Sequence, residues 1–294
     1  MRDWENKILC GDNRQVLKQL PDSLVNAIIT SPPYFQQRNY DHAQQIGAES
    51  TPEDYIQNLV DVFAQCRRVL ADNGSLWLNL GDKYHPRDGR LLGMPWRVAL
   101  ALTDDGWILR SDIIWHKPNA MPHSTKRRPT TDHEYMFLFS KSKDYYYDAD
   151  AIREPHVTFS ENSKMKGGRN HFGKRQGTPE QGKNEGNNNL HDGRWDQAFH
   201  PAGRNKRTVW SVPLGKFREA HFAVFPPKLI EPCVLAATRP GGLVFDPFFG
   251  AGTVAMVALE LERNFLGIEL NPDYVQIAQR RINAFQPSTP LFRD

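Results

Sequence analysis

The 294-residue chain is short of cysteine and has no long apolar run. Its three cysteines, Cys10, Cys66 and Cys233, stand far apart and form no C-x-x-C pair. Neither a disulfide framework nor a zinc knuckle is indicated, no metal is expected, and a reducing compartment fits. No stretch reaches the roughly 18 consecutive apolar residues of a membrane span, and no charged start leads into an apolar leader. Repeats of fixed period are missing too, which excludes solenoids and propellers. A cytoplasmic protein without membrane contact is therefore expected. The formal net charge is only +3, but it is unevenly spread. Between His156 and Trp210 stand ten basic and five acidic residues, so this segment carries +5 and the remainder −2.

Outside that segment, short apolar strands alternate with amphipathic helices. Strands are read at Lys7 to Cys10, Ala27 to Thr30, Ser75 to Leu80, Trp107 to Trp115, Glu134 to Ser140, Leu243 to Asp246 and Phe265 to Leu270. Thr51-Pro52-Glu53-Asp54 opens a helix with a capping threonine, a proline in its first turn and acids near its N-terminus. Its apolar positions from Tyr55 to Leu70 keep to one face, and it stops at Asp72-Asn73-Gly74. Such alternation predicts an α/β fold: a mostly parallel sheet of seven strands with helices on both faces. The basic segment interrupts it. Residues 1–150 and 211–294 together make one domain, and 151–210 is an insert. Its Gly-, Asn-, Lys- and Arg-rich composition fits a disordered linker or a recognition element that orders on its partner.

Two motifs carry chemistry. Ser31-Pro32-Pro33-Tyr34 follows the strand Ala27 to Thr30 directly. Proline fixes its own φ, has no N–H to donate, and holds the preceding residue extended. The segment is either a plain strand-to-loop turn or a rigid cradle of acceptors beside an aromatic ring. Late in the chain, Asp246-Pro247-Phe248-Phe249-Gly250-Ala251-Gly252-Thr253 reads as strand, glycine turn and helix start, with Glu269 nineteen residues beyond Gly250. Glycines admit a ligand close to the backbone, and an acid at that spacing suits ribose hydroxyls. A nicotinamide dinucleotide fold is one reading of this pattern. Only 39 residues follow Ala255, however, so the remaining strands must come from the N-terminal side and the sheet is circularly ordered.

Taken with His221-Phe222-Ala223-Val224-Phe225-Pro226-Pro227, these motifs resemble the S-adenosylmethionine-dependent DNA amino-methyltransferases of the β motif order. The resemblance covers nearly the whole chain except the insert. It is supported by Gly74 to Asp82 and by Ser111 to Pro118. The resemblance implies a Rossmann-like seven-stranded methyltransferase sheet with one reversed edge strand, and S-adenosylmethionine as cofactor. Asp246, Pro247, Phe248, Gly250, Gly252 and Thr253 would wrap its methionine part, Glu269 would hold the ribose, and Asp12 would face the adenine amine. His221, Phe222 and Phe225 would close over the methionine end. The reaction implied is transfer of a methyl group to the exocyclic amine of a base flipped out of duplex DNA. Ser31 and Pro32 would accept from the amine hydrogens, Pro33 would stiffen the turn, and Tyr34 would stack on the base. Family members with serine first usually modify cytosine N4, and those with aspartate adenine N6; N4 is expected here, with an adenine-N6 methyltransferase as the nearest alternative. A catalytically silent nucleic-acid-binding module is the reading from another class.

The implied partners are double-stranded DNA, a second copy of the chain and a cognate restriction endonuclease. Lys126, Arg127 and Arg128, and in the insert Arg204, Lys206 and Arg207, are candidate DNA contacts, against a plain solvated role. Pro232-Cys233 mimics a cytosine-C5 nucleophile, but Cys233 sits in an apolar helical run and reads as a buried, inert thiol. Tyr145-Tyr146-Tyr147 reads as an alternating edge strand.

Overall fold

A computed structural model describes residues 2–38, 42–122, 124–155, 202–215 and 225–285. The chain divides into two compact units, one of residues 1–148 with 207–294 and one of residues 149–206.

The described strands of the first unit are β1 (Lys7–Cys10), β2 (Val25–Thr30), β3 (Leu70–Leu80), β4 (Ile108–His116), β5 (His133–Ser140), β6 (Val209–Ser211), β7 (Leu243–Asp246) and β8 (Asn264–Glu269). They form one sheet in the order β1-β8-β7-β2-β3-β5-β4-β6. From β1 to β3 every pairing is parallel, β5 runs antiparallel to both β3 and β4, and β6 is parallel to β4. Eight strands rather than seven are present among the described residues; the additional one, β6, is too short to show a period. The reversed strand is not at the edge. Its run Met136-Phe137-Leu138-Phe139 is buried, and such continuous apolarity belongs inside a sheet. β4, with alternating exposure over its first half, lies outside it.

The helices are α1 (Asn13–Val16), α2 (Pro52–Val69), α3 (Met94–Asp104), α4 (Pro227–Ala237), α5 (Thr253–Glu260) and α6 (Pro272–Ala284). Thr51 caps α2, its Oγ1 accepting from Asp54 N at 3.2 Å. Leu59 and Phe63 of α2 and Val98 and Leu102 of α3 share a core cluster with Ile28, Leu76, Phe137 and Phe245 of the sheet. α2 ends earlier than its apolar stripe suggests. Leu70 is already paired with Val25, and Asp72-Asn73-Gly74 form an irregularity inside β3 before Ala27 meets Ser75. Tyr145-Tyr146-Tyr147 is not a strand: Tyr146 N donates to Asn73 O, Tyr147 stacks on Trp77, and Arg110 lies over Tyr145.

Two connections place the site. β7 runs through α5 to β8 on one side, whereas β2 runs through α2 to β3 on the other. The chain therefore parts between β7 and β2, and a crevice opens at the carboxyl ends of these strands. Ser31 follows one of them and Asp246 ends the other.

In the second unit, Glu154 and Arg204 form an antiparallel bridge with N···O distances of 2.9 and 2.8 Å. Gly203 has φ +115°, and a Cβ there would lie 2.3 Å from Glu154 O, so only glycine fits.

Candidate active site

The turn after β7 is shaped by what its backbone must do. Gly250 and Gly252 have φ of +53° and +78°, a region that other residues seldom enter. Phe249 N donates to Ile268 O, and the Phe249 ring covers Gly267, where a Cβ would come within 2.2 Å of it. The turn is thus clamped onto β8. Its amide at Gly250 donates to Glu269 Oε2 at 2.7 Å, while Asn271 N donates to Oε1 at 2.9 Å. Burial raises the Glu269 carboxyl, and these backbone donors offset part of the rise.

Asp246 is buried at the head of the same turn. It accepts from Thr30 Oγ1 at 2.6 Å and from Phe248 N at 3.0 Å, which ties β7 to β2 across the crevice. Burial pushes its carboxyl up to about 7 despite these donors. Asp12 lies at the end of β1, where it caps α1 by accepting from Arg14 N at 2.9 Å and meets the Arg14 guanidinium at 2.7 Å. Burial works against its charge, but the Arg14 hydrogen bonds outweigh it and hold the carboxyl below its ordinary value.

One cavity is lined by Asp12, Ser31, Pro33, Phe225, Asp246, Pro247, Phe248, Gly250, Thr253 and Glu269. Both motifs therefore open on the same space. Thr253 is buried, and its Oγ1 has no hydrogen-bond partner among the described residues. An orphaned hydroxyl on a cavity wall is a place for a ligand's polar group. Pro32, Tyr34 and Gly252 flank the cavity without lining it, and His221 and Phe222 lie outside the described residues.

The proline turn is held from behind. Tyr55 Oη donates to the Pro33 carbonyl at 2.9 Å, whereas no described residue donates to the Pro32 carbonyl. The Tyr34 ring packs on Gly81, where a Cβ would sit 2.6 Å from it. Its hydroxyl enters a polar cluster invisible to motif reading. Tyr34 Oη donates to Glu134 Oε2 at 2.7 Å, and Asn79 Nδ2 donates to Tyr34 Oη at 2.6 Å. Lys117 Nζ pairs with Glu134 Oε1. Burial, reinforced by the Glu134 charge, raises the Tyr34 hydroxyl well above its ordinary value. The one sequence signal was Asn79, a polar residue inside the buried run Leu76-Trp77-Leu78 and Leu80.

The basic candidates differ in their surroundings. Lys126 and Arg127 are exposed, and Arg128 lies over the Tyr84 ring at 3.3 Å. Arg204 and Lys206 both pair with Glu154, at 3.2 and 3.4 Å. Arg207 is exposed, and its carbonyl accepts from Trp210 Nε1 at 2.6 Å. Cys233 is fully buried, its Sγ directed at Leu229 O at 3.6 Å within α4. Among the described residues no group of three or more His, Cys, Asp or Glu could hold a metal, and no helix is long and apolar enough to cross a membrane.

Residues 25–280 match the family model described as DNA methylase, N6_N4_Mtase. The chain belongs to the DNA methylase family. Type II methyltransferase M.Cfr9I of Citrobacter freundii is 41% identical over 92% of this chain and 86% of its own. The fold matches that of the PvuII DNA methyltransferase (cytosine-N4-specific), with a TM-score of 0.69 and 19% identity over 96% of this chain and 89% of that one. It also matches the M1.HpyAVI–SAM complex, with a TM-score of 0.57 and 21% identity over 94% and 98% of the two chains. The amino-methyltransferase resemblance carried by the motifs is thus borne out, and this DNA methylase keeps both of them on one crevice.

Proposed function

We propose that this DNA methylase transfers a methyl group from S-adenosylmethionine to the N4 amine of a cytosine flipped out of duplex DNA. The observation that carries the reading is the shared cavity. The serine-proline turn and the glycine turn meet there, with a buried orphan hydroxyl at Thr253 and three carboxyls at Asp12, Asp246 and Glu269. A cationic methyl donor that also bears an adenosine suits such a lining: acid for the charged methionine end, acid for the ribose, acid for the adenine amine. Asp246, Pro247, Phe248, Gly250, Gly252 and Thr253 surround the methionine part, Glu269 takes the ribose hydroxyls, Asp12 takes the adenine amine, and Phe225 covers the cavity. S-adenosylmethionine supplies an electrophilic methyl group on a positively charged sulfur.

An exocyclic amine is a poor nucleophile because its lone pair is shared with the ring. Rigid acceptors on its two hydrogens return that pair to nitrogen, so positioning and electrostatics carry the catalysis. The Ser31 hydroxyl and the Pro32 carbonyl are those acceptors. The Pro33 carbonyl cannot serve as freely, being held by Tyr55. The Tyr34 ring, fixed against Gly81, stacks on the base. Serine, which the resemblance associates with cytosine N4, has a hydroxyl that can both donate and accept while leaving this pocket without the charge an aspartate would bring. Lys126, Arg127 and Arg207 meet phosphates, and the basic insert reads the sequence. The type II relatives point to a cognate restriction endonuclease as a companion.

Mass spectrometry of nucleosides from unmethylated duplex DNA, after incubation with the protein and S-adenosylmethionine, tests the reading. N4-methylcytosine is expected. N6-methyladenine would overturn the choice of base and leave the chemistry standing.

A further inference from the structure

Ser31, Tyr34 and Glu134 form a continuous row of hydrogen bonds leading away from the cavity. Ser31 Oγ donates to Tyr34 Oη at 3.2 Å, and Tyr34 Oη donates to Glu134 Oε2 at 2.7 Å. Asn79, itself buried, lies alongside the row. Its Nδ2 stands 3.4 Å from Ser31 Oγ, 2.6 Å from Tyr34 Oη and 2.9 Å from Glu134 Oε2. Lys117 Nζ holds the other carboxylate oxygen of Glu134. The members come from the turn after β2, from β3, from the end of β4 and from β5, so the sheet order itself assembles them.

Methylation of an amine creates a surplus proton. The nitrogen gains a carbon while keeping both hydrogens, and the product is neutral only when one leaves. Counting donors and lone pairs gives that proton a path. A serine hydroxyl has one hydrogen and two lone pairs. At Ser31 the hydrogen goes to Tyr34 and Asn79 takes one lone pair, which leaves the second lone pair for the amine hydrogen. Tyr34 repeats the pattern, giving its hydrogen to Glu134.

We propose that Glu134 is the terminal proton acceptor of the reaction, reached through the hydroxyls of Ser31 and Tyr34. As the amine N–H bond breaks, its proton bonds to Ser31 Oγ. The former Ser31 hydrogen passes to Tyr34 Oη, and the former Tyr34 hydrogen to Glu134 Oε2. The carboxylate becomes neutral, the methylated amine becomes neutral, and both hydroxyls end as they began. Lys117 keeps the carboxylate aimed at Tyr34. The buried Tyr34 hydroxyl resists ionisation, so it passes a proton on without surrendering its own beforehand. Asp246 is the rival base, but its hydrogen bonds come from Thr30 and Phe248, and none joins it to Ser31 among the described residues. The inference rests on the amine reading above, not on which base is modified.

The test is single-turnover methylation of unmethylated duplex DNA with labelled S-adenosylmethionine, using the full-length protein and its Tyr34→Phe, Glu134→Gln and doubly substituted forms. Phenylalanine keeps the ring on Gly81, so that variant should fold even if Glu134→Gln does not. Each single change is expected to slow the turnover about 100-fold or more, with S-adenosylmethionine affinity held within about twofold. The double variant should lose no more than either single one, because one break already interrupts the row. In mixtures of light and heavy water, the wild-type rate should show more than one proton in motion, and Tyr34→Phe should remove that signature. Losses that multiply in the double variant, or that appear in affinity rather than rate, would overturn the relay and leave only positioning contacts. Nucleoside mass spectrometry of the wild-type product reads the base separately: N6-methyladenine revises the substrate and spares the relay, whereas no methylated base sinks both.

Discussion

Burial leaves Asp246 with a carboxyl near 7, and this has two measurable consequences. Its folded value lies above the unfolded 3.8, so the native state holds the proton more tightly, and stability falls as pH rises from about 4 to about 7. At pH 8 the ionised group costs up to about 4 kcal/mol. Asp246→Asn keeps an acceptor for Thr30 and Phe248 and should melt above the wild-type protein at pH 8 but not at pH 4. The same variant should lose S-adenosylmethionine binding. A cationic ligand favours the ionised acid, so wild-type affinity should climb between about pH 6 and pH 8, with proton release seen by calorimetry in buffers of different ionisation enthalpy. Gly267→Ala makes a steric point instead. The added methyl would meet the Phe249 ring, so a loss of about 1–3 kcal/mol and a weakened cofactor site are expected from a thermal melt and a binding titration. At this scale the sequence was legible wherever a residue type forces the backbone. The prolines at 32 and 33 and the glycines at 250 and 252 announced their turns, and the spacing to Glu269 announced its partner. Lys117 and Glu134 were illegible, and Asn79 showed only as a polar residue in an apolar run, because they converge from the residue after β4, from β5 and from β3, whose order no local pattern encodes.

Elements with long periods or explicit caps were readable in the sequence. The N-cap of α2 is an example: Thr51 Oγ1 accepts from Asp54 N and donates to Asp54 Oδ2 at 2.6 Å. Thr51→Ala should destabilise the protein by about 1 kcal/mol, measurable as a lower denaturant midpoint with an unchanged slope. Boundaries were harder. The apolar stripe of α2 runs on into Leu70, yet Leu70 N–H already closes the helix onto Cys66 while its own backbone is extended toward β2. β6 has three residues and no periodic signal; its place is earned by pairing with β4 from Ile114 to His116. The tyrosine triplet has the propensity of a strand, but its rings meet Arg110, Arg239 and Trp77, and those tertiary contacts override the local preference.

On the scale of the whole molecule, the bridge between Glu154 and Arg204 brings the two ends of the basic segment within backbone hydrogen-bonding distance. A two- to four-residue turn can therefore replace residues 156–201. Such a shortened protein should bind S-adenosylmethionine with wild-type affinity and lose sequence preference in a DNA-binding assay, if that segment reads the site. The sheet order has a different implication. β1 and β8 lie side by side and parallel from Lys7–Leu266 to Cys10–Glu269, so the first and last of the described strands are immediate neighbours. The described elements are in this sense arranged as a loop, with α6 packed beside β1. A gene rearrangement that joined α6 to β1 and opened the chain elsewhere, within the basic segment for instance, would reshuffle every motif along the chain while moving none of them in space.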